Sequence, residues 1–391
     1  MIKEMSAIVA NTKSDIAVRK PTAISKKRTL KPIDLGLLVA IVILLSMGLI
    51  MVLSASAPSA LTYEGDSYFY FKSQLLNAMI GLVAMIAISR IDYKIYRGRL
   101  ADIAIIVSII LLALVLVPGV GRTVKGATRW VYLGFQFQPS EIMKIALIVY
   151  LAAKLSKDPK KNKDFIRGIL PHLAVVGIIC VLLYLEPHYS ALGLTVIVSA
   201  IMIFSAGMRI RDMFLVGTPV LAVLIVFMVQ EEYRVKRLLS FLDPFQDKLD
   251  SGWQAVQSLY AVGSGGLFGV GLGNSTQKYL YIPEPQNDFI FSIWAEEMGF
   301  FGVMFIIFLF GMFIWRGITI ALHAPDMFGT LLAIGITSLV GVQAILNIAI
   351  VSASFPVTGV PLPFFSYGGT ALIILLASCG VLLNISKQRI N

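Results

Sequence analysis

The residues best suited to chemistry sit where a lipid-soluble chain should tolerate them least. Asp288, Glu296 and Glu297 open one apolar segment, and Glu141 and Lys144 open another. An ionisable group near hydrocarbon costs at least ~2.5–3.5 kcal/mol, so each is a candidate for function. Glu141 and Lys144 are three residues apart, which puts them on one helix face and lets them pair. They read either as a structural ion pair or as the polar wall of an outward-facing cavity. Asp288 follows Pro283 and Pro285, which prevent a regular helix before position 286. It then falls at a helix N-terminus, where Asp is a favoured cap contributing about 1 kcal/mol. With Lys278, Glu284, Glu297 and outer aromatics nearby in sequence, a catalytic carboxylate is the better reading.

Three further stretches bear on chemistry. Arg129 and Trp130 precede Gln138-Pro139-Ser140-Glu141, and Trp130 alone would be a common interfacial anchor. Residues 263–273 hold six glycines. No strand precedes them and no Lys-Ser or Lys-Thr closes them, so a nucleotide-binding loop is excluded. Close packing or a re-entrant path fits better. Residues 356–370 alternate Pro and Gly around Ser366, giving irregular backbone whose hydroxyls and N–H groups suit a phosphate or sugar. Cys180 and Cys379 read as small buried apolar residues, and His172, His188 and His323 form no metal signature.

These residues need a membrane scaffold to position them. Apolar residues make up 57% of 391 positions, charged residues only 14%, and the mean hydropathy is +0.83. That composition predicts an all-α integral membrane bundle rather than a water-soluble domain. Ten apolar segments are expected, at about 35–56, 74–89, 101–117, 139–155, 168–185, 190–206, 213–229, 288–315, 328–351 and 371–385. Residues 1–33 read as a disordered basic cytoplasmic tail and 34–391 as one transmembrane domain. The net charge of +11 lies in short loops, which topology explains, so nucleic acid is not an expected partner. With the N-terminus inside, 23 Lys and Arg fall on the cytoplasmic side and 9 outside. This predicts both termini inside and an even number of spans. The outer loops are then about 118–138, 230–287 and 352–370, the second lying between spans seven and eight. Loops this long in a compact protein are functional or disordered, and the aromatic content of 230–287 argues against disorder. No internal repeat is evident, which weighs against an inverted-repeat transporter.

Taken together, the segments from about 35 to 385 resemble the family of shape, elongation, division and sporulation proteins, whose members include FtsW, RodA and SpoVE. Three blocks carry the resemblance: Arg129-Trp130 through Pro139-Ser140-Glu141, Pro283 through Phe291 with Glu296-Glu297-Met298-Gly299, and Pro356 through Gly369. The middle block and Gly252-Trp253-Gln254 are closer to the FtsW and SpoVE branch. The resemblance implies a peptidoglycan glycosyltransferase that polymerises lipid II on the outer face of the bacterial cytoplasmic membrane for septal wall synthesis. It also implies a class B penicillin-binding transpeptidase and other division proteins as partners. Asp288 matches the family's essential carboxylate, and Glu141 and Lys144 match a charged pair of its central cavity. Where many members carry Pro-Asp-x-Gly, this chain reads Pro187-His188-Tyr189-Ser190, so no role of that Asp transfers to His188.

On that resemblance the expected mechanism has Asp288 as general base on the acceptor sugar hydroxyl. Lys278, Lys144 and Arg129 would face the diphosphate, with a divalent cation (Mg²⁺ or Mn²⁺) left open. Trp130 would stack on a sugar face, and Ser366 would contact substrate. Two other functions fit the same residues. A lipid II flippase would also use an intramembrane Glu141–Lys144 pair and broken helices. A non-catalytic scaffold for the transpeptidase would need no carboxylate at all.

Overall fold

The computed structural model describes residues 31–124, 127–132, 134, 136–229, 241, 243–246 and 252–389. The expected tail therefore lies outside the described residues up to position 30, as does much of the first half of the large loop.

Each of the ten apolar segments is helical: α1 Leu35–Glu64, α2 Phe69–Ile88, α3 Arg99–Val115, α4 Pro139–Leu155, α5 Leu170–Leu185, α6 Tyr189–Ser205 and α7 Ile210–Val229. After α8, Trp253–Ser264, come α9 Ile290–Leu322, α10 Met327–Val351 and α11 Gly369–Lys387. Among the described residues, six helices are by themselves long and apolar enough to cross a membrane: α1, α2, α5 with its preceding turn, α9, α10 and α11. The helix ends follow local chemistry. Asp34 caps α1 by accepting from the Leu37 N–H at 3.0 Å, and Asp326 caps α10 by accepting from Gly329 at 2.8 Å. Pro139 takes the first turn of α4, where its missing N–H costs nothing.

Packing centres on α10, the most enclosed of the long helices, which contacts α9, α6 and α4. Helix α1 lies on α9, and α11 lies on α2. One end of the bundle is locked by buried Asp34, which pairs with Arg316 of α9 (Nε–Oδ1 2.8 Å) and with Arg389 (3.1 Å). Burial alone would raise the Asp34 carboxyl, but the two guanidiniums and the Leu37 N–H hold it below the usual range.

Two features depart from a purely helical expectation. Residues of the 118–138 loop form a three-stranded antiparallel sheet, β1 Gly121–Val124, β2 Ala127–Tyr132 and β3 Gln136–Phe137. The reason is legible in β2, whose Thr, Trp, Val and Tyr suit a pleated, half-buried surface. Val131 and Phe137 point down onto Val115 at the end of α3, while Tyr132 faces out. Second, α9 is kinked at Gly299, whose backbone is left-handed in φ (63°). The glycine-rich stretch is stitched into that kink. Val270 and Gly271 donate to the Glu296 and Glu297 carbonyls at 3.0 Å, and Phe300 and Phe301 donate to Gly266 and Leu267. A Cβ on Gly299 would stand 2.3 Å from the Gly269 nitrogen. The glycines thus serve close backbone packing.

Candidate functional site

The alternating helices bring the unusual loops to the other end of the bundle, where Asp288 sits two residues before α9. The cap of α9 is Phe289, so Asp288 does not cap the helix. The residue is half-buried rather than enclosed. Its backbone carbonyl accepts 2.7 Å from Nδ2 of Asn347 on α10. The approach to it is strained: Glu284, between two prolines, adopts φ 48°. Asn287 holds that turn, donating from its backbone N–H and its Nδ2 to Glu284, each at 3.0 Å. A non-glycine residue in this region costs on the order of 1–3 kcal/mol and persists only where its surroundings enforce it.

The 356–368 loop closes over this turn. Phe364 and Phe365 are buried, with Phe365 edge-on to Trp294 of α9 at 6.0 Å. Tyr367 donates its N–H to the Gln286 carbonyl at 2.8 Å. Buried Gln74 of α2 donates to the Ser366 carbonyl at 3.1 Å and accepts from Gly368. Gly359 faces the Asp288 carboxylate directly. Ser366, expected to contact substrate, is buried, and its hydroxyl accepts from the Leu362 N–H at 2.8 Å. In this geometry it closes its own loop.

Lys278 departs most from its expected place. It is 4% exposed, and its ammonium donates to Glu297 Oε1 (3.0 Å), Ser54 Oγ (3.2 Å) and the Gly273 carbonyl. An ammonium has three donors, so none is left for a diphosphate here. The cause is Glu297, fully buried inside α9, which needs a cation. Glu296 likewise turns inward, accepting from the Thr276 N–H at 2.9 Å.

Glu141 and Lys144 do pair, Nζ–Oε2 2.8 Å. Lys144 is buried and lines a cavity of only about 10 Å³ between α4, α6 and α10, with Leu151, Thr195, Ser199 and Met202 among its other walls. Arg129, on β2, donates to the Pro187 carbonyl in the turn between α5 and α6. Trp130, half-buried, lies opposite Arg122 in the sheet.

That turn holds residues to which sequence reasoning gave no role. Both Glu186 oxygens and His188 Nδ1 are buried without a hydrogen bond among the described residues. Burial pushes the Glu186 carboxyl up to about 8, against the opposing pull of Arg129. Burial, with Arg129 and Lys144, pushes His188 down to about 3. His188 is therefore an uncharged ring near Gln138, 3.5 Å away, and cannot do a carboxylate's work. Their only signal in sequence was Glu-Pro-His between two apolar runs. No group of three His, Cys, Asp or Glu side chains that could hold a metal ion exists among the described residues.

The fold and this end of it define a multi-pass helical membrane protein that presents a half-buried carboxylate among irregular loops. The chain belongs to the FtsW, RodA and SpoVE family, whose model, described as "Cell cycle protein", matches residues 35–391. It is 45% identical over 355 residues to stage V sporulation protein E of Bacillus subtilis (strain 168), covering 90% of this chain and 97% of that one. It is 44% identical over 356 residues to a probable peptidoglycan glycosyltransferase FtsW of Trichlorobacter lovleyi, covering 90% and 93%. Among solved structures, a chain of a peptidoglycan synthase complex that coordinates polymerization and crosslinking superposes with TM-score 0.76 at 30% identity, covering 90% and 97%. Thermus thermophilus rod shape determining protein RodA superposes with TM-score 0.66 at 27% identity, covering 92% and 98%.

Proposed function

We propose that this protein is a peptidoglycan glycosyltransferase of the FtsW and SpoVE type, joining lipid II units into glycan strands for septal wall synthesis. In this reading it lies in the bacterial cytoplasmic membrane with both termini inside and Asp288 on the outer face. No nucleotide pool exists there, so the donor sugar must carry its own leaving group. A lipid diphosphate is such a group. Relatives named as glycosyltransferases at about this level of identity support the reaction class. A solved synthase complex supports a class B penicillin-binding protein as partner.

The observation that carries the reading is Asp288, half-buried, pinned through its backbone and turned toward a loop rather than into the core. As general base it takes the proton of the acceptor sugar hydroxyl while that oxygen attacks the donor anomeric carbon and the diphosphate leaves, inverting the centre. A base within hydrogen-bond reach contributes about 10²–10⁴-fold. Developing charge on the diphosphate calls for cations. Lys144 and Arg129 are the candidates, since Lys278 is committed to Glu297. A divalent cation arriving with the diphosphate would find no cluster of three His, Cys, Asp or Glu side chains to hold it among the described residues. It would add positive charge at the leaving group. Trp130 is left to stack on a sugar face.

The test is lipid II polymerisation in detergent by the purified full-length chain, with and without a class B penicillin-binding protein, Mg²⁺ or Mn²⁺, and Asp288→Asn. Glycan strands lost in Asp288→Asn support the reading. Wild-type strand formation by Asp288→Asn would overturn the role of Asp288. The buried Glu141–Lys144 pair and the irregular backbone of the 356–368 loop would also suit a lipid II flippase. Lipid II flipping in sealed vesicles by a chain that makes no strands in detergent would favour that alternative.

A further inference from the structure

Asn347 lies on α10, one turn before its end, and is fully buried. Its Nδ2 donates twice, to the Asp288 carbonyl and to the Val360 carbonyl, each at 2.7 Å. Its Oδ1 has no partner among the described residues. The orientation is fixed by the two acceptors, because a flipped amide would aim oxygen at both carbonyls. A buried acceptor without a partner is costly, so hydrogen-bond balance does not by itself explain this amide.

The two carbonyls it holds belong to the two sides of one gap. Asp288 carries the carboxylate, and Val360 follows Gly359, the residue that carboxylate rests against. One amide on the most enclosed helix therefore references both sides to a single rigid element. We propose that Asn347 is a positioning residue that sets where the Asp288 carboxylate stands relative to the 356–368 loop. It does not touch substrate. The inference rests on the reading of Asp288 as general base. A base works only within about 2.6–3.2 Å of the proton it takes. A displacement of about 1 Å in such a site costs on the order of 10²-fold.

Two variants test it in the detergent polymerisation assay, normalised to folded, monodisperse protein. Asn347→Leu keeps the branched shape and the number of heavy atoms, although it is bulkier, and removes both donors. Asn347→Asp keeps the shape, with one donor while its buried carboxyl is protonated and none once it ionises. The expected order of kcat is wild type, then Asn347→Asp, then Asn347→Leu, the last reduced roughly 10–100-fold with KM within about twofold. The Asn347→Asp rate should also gain on the wild-type rate as pH falls. A packing role alone would scale with the folded fraction and leave the pH profile unchanged. If Asn347→Leu retains wild-type kcat while Asp288→Asn is inactive, the positioning role is wrong and the base reading stands. If Asp288→Asn is fully active, the base reading itself fails. Should Asn347→Leu not fold, the Asn347→Asp profile decides: divergence from wild type supports the role, and coincidence overturns it.

Discussion

Gly359 and Asp288 face each other so closely that a methyl group on the glycine would stand 3.1 Å from Oδ2 of the aspartate. The same glycine has φ 71°, a left-handed conformation that L side chains adopt at a cost of about 1–2 kcal/mol. Gly359→Ala therefore strains the loop and crowds the carboxylate together. We expect a modest fall in Tm and a disproportionate loss of lipid II polymerisation, at least tenfold. Wild-type turnover in Gly359→Ala would show that this approach is irrelevant to the reaction.

Replacing Asp288 by Asn keeps the shape and removes the basicity. Polymerisation should fall by about 10²–10⁴-fold while Tm and elution on size exclusion stay at wild-type values. Glu at the same position adds a methylene toward Gly359 and should also be impaired, although it restores a carboxylate.

The Lys278–Glu297 pair should behave as a structural unit. Lys278→Met leaves a buried carboxylate without its cation and is expected to cost about 3–5 kcal/mol. Glu297→Gln in the same chain removes that uncompensated charge and should recover much of the stability, read as Tm in detergent. A Lys278→Met protein with normal Tm and no polymerisation would return Lys278 to the diphosphate.

Glu186 should give stability a pH dependence. Its carboxyl ionises near 8 in the folded chain against 4.5 normally, so the folded state holds a proton that the unfolded state has released. Stability from this group is complete below about 4.5 and is lost as pH rises through 8. Glu186→Gln should flatten Tm between those values and raise it at the alkaline end. His188 has the opposite sign. It stays neutral down to about 3 instead of 6.5, so stability falls as pH drops across that window, and His188→Asn should remove the fall.

The chain's own pattern of apolar runs, prolines and charges determined the helices. Pro139 marked the start of α4 to the residue, and the paired prolines before Asp288 kept that stretch out of α9. The Glu141–Lys144 pair was legible because helical spacing alone places the two side chains together. Local pattern does not encode distant partners, and there tertiary structure decided. Lys278 looked available until α9 folded Glu297 beneath it, and Ser366 until the Leu362 N–H claimed its hydroxyl. The β2 strand formed because the end of α3 offered Val115 as a floor. Asn347 had no local signal, since both of its acceptors arrive from other segments through the packing of α10.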